Sequence, residues 1–303
     1  ICGGCPLMHV RVSGQGAAKL GLLRTRLEAE GLGDLCPGEL HTGESVGYRH
    51  VIKLVAGKSD IGRFRLGMRN RDGLLVPIPS CLVATPALRR LMGRLAHHCK
   101  ELNVFAYEEA RGTGLRHVVA RQSQASGRVH VTLVAGKNGA IWRELAEAVL
   151  SSSDEVVGVA LHINQEPGNA IFSRDEKGAI RVKGVGGPMM LEERVGGFRY
   201  RIGSGDFFQN NPWVAESLQT RAIEISRSFK GRPMVDLYCG VGLFTVALAK
   251  EHGWALGVEG LASAVLRAKE NARLNRVLAR FIHADVAEIA PQIRRKIGDN
   301  APF

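Results

Sequence analysis

The sequence predicts an α/β protein of two domains. An α+β domain over residues 1–196 precedes a doubly wound parallel sheet over 197–303, which looks incomplete. Three observations predict this. From residue 233 onward, short apolar runs and helical stretches alternate strand–helix–strand–helix–strand, the rhythm of a parallel sheet with covering helices. Residues 48–78 instead show short alternating runs broken at Gly57, Lys58, Asn70, Asp72 and Gly73, the signature of antiparallel strands joined by turns. Finally, 303 residues that are 45% apolar and 23% charged suit about two globular domains and argue against wholesale disorder.

Taken in order, residues 17–30 have helical periodicity, stopped by Gly31 and Gly33. Residues 85–103 form a helix, with Thr85 as its N-cap and Pro86 at its first position. LRHVVAR at 115–121 and RVHVTLVA at 128–135 are strands; a helix near 141–151 and a strand at 156–163 follow. The domain boundary is expected near 196–205, at Gly196-Gly197 and Gly203-Ser204-Gly205. Beyond it come a helix at 212–228, strands at 233–237, 255–259 and 280–284, and helices at 243–252 and 261–275. Asn211-Pro212-Trp213 is the first helix's start, with Pro near N1. No apolar run approaches the roughly 18 residues of a membrane helix. The opening Ile1-Cys2-Gly3-Gly4-Cys5 resembles neither a signal peptide nor a natural start, and a soluble cytoplasmic monomer is expected.

The net charge of +12 is concentrated. Residues 49–137 carry 16 Lys and Arg against 5 Asp and Glu, so the rest is almost neutral. The densest part holds Lys53, Lys58, Arg63, Arg65, Arg69 and Arg71, and alternation sets Arg63 and Arg65 opposite Phe64. Confined cationic excess of this kind suits a polyanion, above all RNA.

Six cysteines, at 2, 5, 36, 81, 99 and 239, do not suggest a disulfide scaffold in a chain long enough to build a core. Cys2-Gly3-Gly4-Cys5 spaces two thiolates to clamp one metal or two corners of a cluster. Cys81, in the rigid Pro77-Ile78-Pro79-Ser80-Cys81 segment, is the leading further ligand. Cys36 is a weaker one, and Cys99 belongs to the core. On residue types alone, zinc and an iron–sulfur cluster both fit.

The strongest motif is Val235-Asp236-Leu237-Tyr238-Cys239-Gly240-Val241-Gly242, running from an apolar strand into a helix. Glycines there let a ligand approach the backbone, with its charge near the helix N-terminus. Glu259 ends the next strand, where a carboxylate suits a ribose diol, and Asp285 ends the third, within reach of an adenine edge. Position 245 is Thr where a dinucleotide fingerprint has its third glycine, which disfavours NAD. The D-L-x-C-G-x-G start resembles the first motif of S-adenosylmethionine (SAM) methyltransferases. Cys239, inside the loop, is assigned to packing.

Cys2-Gly3-Gly4-Cys5, a cysteine after Val-Pro-Ile-Pro-Ser, Asp206-Phe207-Phe208-Gln209-Asn210-Asn211 and Asp236-Leu237-Tyr238-Cys239-Gly240 occur in that order. Together they resemble the RNA uracil-5 methyltransferase family, in particular its iron–sulfur branch acting on 23S ribosomal RNA; the tRNA branch is similar in the SAM domain. The resemblance implies a Rossmann-like SAM-dependent methyltransferase domain preceded by an α+β iron–sulfur and RNA-binding domain. It implies SAM contacts from Gln209, Tyr238, Glu259 and Asp285, and a 4Fe–4S cluster on Cys2, Cys5 and Cys81. Leu243 departs from the Asn or Gly of many relatives, so no side-chain bond to the cofactor is expected there.

The family's reaction adds a cysteine thiolate to uracil C6, which makes C5 nucleophilic toward the SAM methyl before a base removes the C5 proton. The family places that cysteine, the base, and a further cluster cysteine outside the residues matched here. The chain is therefore expected to be a fragment without catalytic residues of its own.

Overall fold

The computed structural model describes residues 2–38, 40–59, 61–176 and 178–297. The expectation drawn from the chain's last residues falls on 298–303, outside this range. The first domain contains α1 (Val12–Ala29), β1 (Val51–Lys58), β2 (Phe64–Arg69), β3 (Leu75–Pro77), α2 (Pro86–Glu101), β4 (Leu115–Gln122), β5 (Val129–Ala135), α3 (Ile141–Ser151), β6 (Val156–Ile163) and β7 (Lys183–Gly186). Its strands make one seven-stranded sheet in the order β3-β2-β1-β4-β5-β6-β7. Neighbours are antiparallel except β5 and β6, which α3 connects in parallel.

One sheet face is apolar and the other mixed, with Lys53 and Arg121 among valines, a threonine and histidines, a direct result of strand alternation. Ile52, Leu54 and Ala56 of β1, Val118 and Ala120 of β4, and Val131 and Leu133 of β5 are buried in one core. The helices cover that face with stripes at helical spacing: Leu88, Leu91, Met92, Leu95 and Cys99 on α2, Leu145 and Val149 on α3. Thr85 caps α2 through the Leu88 amide at 3.4 Å, with Pro86 at the first position. The intervening residues form rows across the opposite face: Val51, Arg121 and His130; then Lys53, Val119 and Thr132; then Val55, His117 and Val134.

The second domain holds β8 (Met190–Val195), β9 (Phe198–Gly203), α4 (Pro212–Arg227), β10 (Val235–Leu237), α5 (Leu243–His252), β11 (Ala255–Glu259), α6 (Ala262–Leu274), β12 (Ala279–His283) and α7 (Val286–Ile297). β10, β11 and β12 form a three-stranded parallel sheet in chain order, and β8 pairs antiparallel with β9. Gly196 and Gly197, expected above at the domain boundary, are the two-residue turn of this hairpin, with φ of +56° and +83°. Val195, Tyr200 and Ile202 of the hairpin are buried with Phe208, Val246 and Phe281 in the second core. We therefore propose the division before Met190. Among the described residues, no helix is long and apolar enough to cross a membrane.

β7 and the loop after it press on β6. A Cβ added to Gly158 would lie 2.0 Å from the Pro188 carbonyl oxygen, a backbone atom unable to swing aside. Gly158→Ala should cost about 1–3 kcal/mol, read from urea unfolding midpoints. Gly93→Ala, whose new methyl meets open space on α2, should instead leave stability equal or raised. Equal midpoints for Gly158→Ala and wild type would disprove the tight approach.

Candidate functional site

The glycine loop links β10 to α5 and is fixed by two carboxylates. Asp236 Oδ2 accepts bonds from Thr245 N at 2.9 Å and Thr245 Oγ1 at 2.6 Å, fastening β10 to the first turn of α5. Burial pushes the Asp236 pKa up from 3.8 to about 6; the two Thr245 bonds oppose this, and the nearby Glu259 charge adds to it. Glu259 Oε2 accepts from Gly240 N at 2.9 Å and Oε1 from Leu261 N at 2.8 Å. One side chain thus holds the loops that follow both β10 and β11.

Between these anchors Tyr238 adopts φ of +60°, a left-handed conformation that costs a non-glycine residue energy and concentrates at functional sites. Its ring is 72% exposed. Cys239 points inward: a Cβ on Gly257 would meet its Sγ at 2.8 Å, and burial, then Asp236 and Glu259, push its pKa up.

The β9 strand braces this loop through polar side chains. Asn271 of α6 accepts from Arg201 N at 2.8 Å and donates to Arg201 O at 3.2 Å and Val241 O at 3.0 Å. One turn on, Asn275 pairs in the same way with Arg199 N and O. The buried Tyr200 hydroxyl donates to Leu243 O at 3.0 Å, and Gln219 Nε2 donates to the Tyr200 oxygen and Leu243 O, each at 2.8 Å.

The Asp206–Asn211 segment runs between the domains. Asp206 is buried, accepts from Gly203 N at 2.7 Å and pairs with Arg267 at 3.3 Å; burial raises its pKa while these contacts oppose the rise. From the first domain, Arg121 donates to Asp206 O at 3.0 Å and His50 N to Asn210 O at 2.8 Å. Desolvation lowers the Arg121 pKa to about 10, still charged at neutral pH. Phe208 enters the second core, whereas Phe207 is 67% exposed. A cavity of about 130 Å³ opens here, lined by Lys53, Arg121, His130 and Thr132 on one side and Phe207 and Asn210 on the other. His130 Nε2 is buried without a hydrogen-bond partner among the described residues, and burial lowers that ring's pKa to about 4.

The model of the tRNA (uracil-5-)-methyltransferase family matches residues 119–294, more than half of the chain, including the glycine loop, Glu259 and the Asp206–Asn211 segment. The chain belongs to that family. Uncharacterized RNA methyltransferases of Clostridium acetobutylicum and Synechocystis are 26% and 28% identical over 97% and 96% of the chain. The chain spans 64% and 63% of their lengths. In fold it is similar to the Pyrococcus abyssi tRNA (uracil-54, C5)-methyltransferase, crystallised with S-adenosyl-L-homocysteine. That match has a TM-score of 0.74 and 24% identity, and it covers 94% of this chain and 65% of the other.

Of the residues singled out from the sequence, Tyr238 and Glu259 flank the glycine loop, and Gln209 lies half-buried directly after Phe208. Asp285 is exposed, and its Oδ1 caps α7 through Ala287 N at 2.8 Å. Cys2, Cys5 and Cys81 gather although 76 residues separate the last two: burial raises the Cys5 pKa, Arg49 opposes the rise, and Cys81 and Cys2 add to it. They do not form a ligand set as they stand. Cys2 Sγ lies 3.7 Å from Met68 Sδ and accepts from Gly4 N at 3.3 Å. Among the described residues, no three His, Cys, Asp or Glu side chains are arranged to hold a metal ion. The expected iron–sulfur or zinc centre thus has no formed coordination site here. Cys99 is fully buried in the first core, as expected.

Sequence reasoning missed Arg121, Arg267, Asn271 and Asn275. The two asparagines four apart on one helix face were a readable signal; the partner of Asp206 was not.

The pKa of Asp236 supplies a test. The folded state binds this proton more tightly than the unfolded chain does, so the group favours folding below about pH 4, and that advantage is lost as pH rises through about 6. Asp236→Asn keeps an acceptor for Thr245 without the titration. In urea unfolding, its stability relative to wild type should improve steadily between about pH 4 and 7. A difference that does not change with pH would mean that Asp236 does not titrate there.

Proposed function

We propose that this chain serves SAM-dependent methylation of uracil C5 in RNA. The observation that carries the reading is the loop of Tyr238, Gly240 and Gly242, strained at a non-glycine residue and cinched by Glu259. Each Glu259 oxygen spends one lone pair on a backbone N–H and keeps another for a ribose hydroxyl. The Tyr238 ring, exposed at the end of the first strand, offers the cofactor a flat apolar surface. Gln209, in the interdomain segment, is assigned to the cofactor on the family resemblance. Asp285 commits Oδ1 to its helix cap, and Oδ2 is assigned to the adenine amino group. SAM, when bound, supplies the methyl group. Cys239 is assigned to packing, because its thiol is buried and held neutral.

RNA is assigned to the mixed sheet face, where Lys53 and Arg121 approach Phe207 across the interdomain cavity. We take ribosomal RNA as the substrate class, on the strength of the thiol set. A tRNA substrate is the second reading, favoured because the family's description and the Pyrococcus protein's both name tRNA. The convergence of Cys2, Cys5 and Cys81 supports a 4Fe–4S cluster at that place, reached by turning Cys2 away from Met68.

Calorimetric titration tests the cofactor. SAM should bind and NAD should not, and Glu259→Ala should weaken SAM binding by about 1–3 kcal/mol, the loss expected when bonds to a charged acceptor are removed. Preference for NAD, or unchanged SAM affinity in the variant, would remove the loop from this role. The cluster is tested by anaerobic purification: the protein should be brown and rich in iron, with the colour lost in Cys81→Ser and kept in Cys99→Ser. A colourless protein holding zinc would replace the cluster with zinc.

A further inference from the structure

The same sheet face carries a second cavity, of about 280 Å³, away from the glycine loop. Its origin is a bulge in β4. Leu115 pairs with Ala135 and His117 with Val134, so Arg116 is an extra residue in the ladder. A bulge re-aims side chains, and here both Arg116 and His117 line the cavity, with Arg69 from the end of β2.

The chemistry of this lining is that of an anion site. Arg116 is 6% exposed, and its guanidinium donates to the carbonyls of Asn164, Glu166 and Gly168 at 2.7–2.9 Å and rests 4.5 Å from the Tyr107 ring centre. Three of its N–H groups go to carbonyl oxygens and its face to a ring, and among the described residues no carboxylate forms an ion pair with it. His117 Nδ1 is buried with no hydrogen-bond partner among the described residues, and burial holds the ring neutral with its pKa lowered to about 4. Arg69 donates once, to Gly73 O at 2.7 Å, and remains exposed. Glu109 is the carboxylate on the rim. Glu108 beside it is already paired with Lys58 and Arg111.

Position gives the anion its identity. Val51 and Arg121 line the interdomain cavity, and Val55 and His117 line this one, on the same two strands and the same face. Four residues of strand separate the two rows, about 13 Å, a distance that a few nucleotides span. Lys53 stands exposed between them.

We propose that the cavity at the β4 bulge, lined by Arg69, Arg116 and His117, binds a backbone phosphate of the substrate RNA a few nucleotides from the target uridine. The inference rests on the reading of RNA as substrate. Arg116 fixes the 164–168 loop and supplies charge; Arg69 and His117 donate to the phosphate.

The test uses single-stranded oligonucleotides around one uridine, with each phosphate in turn replaced by a neutral methylphosphonate. Wild type should lose affinity several-fold at one position a few nucleotides from the uridine. Arg69→Ala should bind the unmodified strand several-fold more weakly, with a salt slope lower by about 0.7, and should be indifferent to the replacement at that position. His117→Ala should show the same pattern more weakly. SAM affinity should be unchanged in both variants. RNA binding in which no phosphate couples to Arg69 overturns the phosphate site and leaves the methyltransferase reading in place. Failure of the wild type to bind any RNA overturns both.

Discussion

The site depends on how two exposed edges of backbone are satisfied. Among the described residues, β9 has only β8 as a strand neighbour, and the glycine loop has none over residues 240–242. Buried N–H and C=O groups left without partners each cost on the order of a hydrogen bond or more. Asn271 meets the demand at both places at once, with its amide spanning Arg201 and Val241. Asn275 extends the pairing along β9, and Tyr200 and Gln219 meet the Leu243 carbonyl from the other side. The result is a loop held by the hairpin that precedes it in sequence. Its strained Tyr238 persists because the surrounding bonds leave it no alternative.

The parallel half was the most legible. Strong apolar runs, short connections and glycines at the turns place α5 and β11 at the residues the sequence indicates. The antiparallel sheet was also legible, because one face is buried and alternation has a single consistent solution. What escaped were β7, β8, β9 and α7. The MMLEERV and FRYRI runs around Gly196-Gly197 carry a hairpin signal. A glycine pair marks a linker or a two-residue turn equally well, and only pairing across it decides.

The candidate site was legible in part for a similar reason. Tyr238 and Glu259 sit at strand ends, where sequence position nearly determines spatial position. Gln209, Arg121 and the thiols depend on how distant segments meet, which no local pattern encodes. The thiols illustrate the limit: spacing brings Cys2 and Cys5 together and topology brings Cys81 to them, yet side-chain rotation leaves Cys2 against Met68. The bulge at Arg116 has no sequence signature, although it re-aims two cationic or titratable side chains onto the open face.

The seam between the domains is asymmetric in what it asks of the chain. Glu193 of the hairpin accepts from the amides of Gln124 and Ala125 at 2.8 and 3.0 Å, and Ser123 donates to Glu192 O at 2.7 Å. Arg121 meets the carbonyl of Asp206, and His50 meets the carbonyl of Asn210 through its own amide. In every one of these bonds at least one partner is main chain, which is the same whatever residue stands there. Gln124, Ala125 and Asn210 are thus free to drift without loosening the join, whereas Glu193, Arg121 and Ser123 are not. Halves taken from diverged relatives can dock on one another as long as each brings those few side chains, so this architecture lends itself to exchange of its domains over evolutionary time.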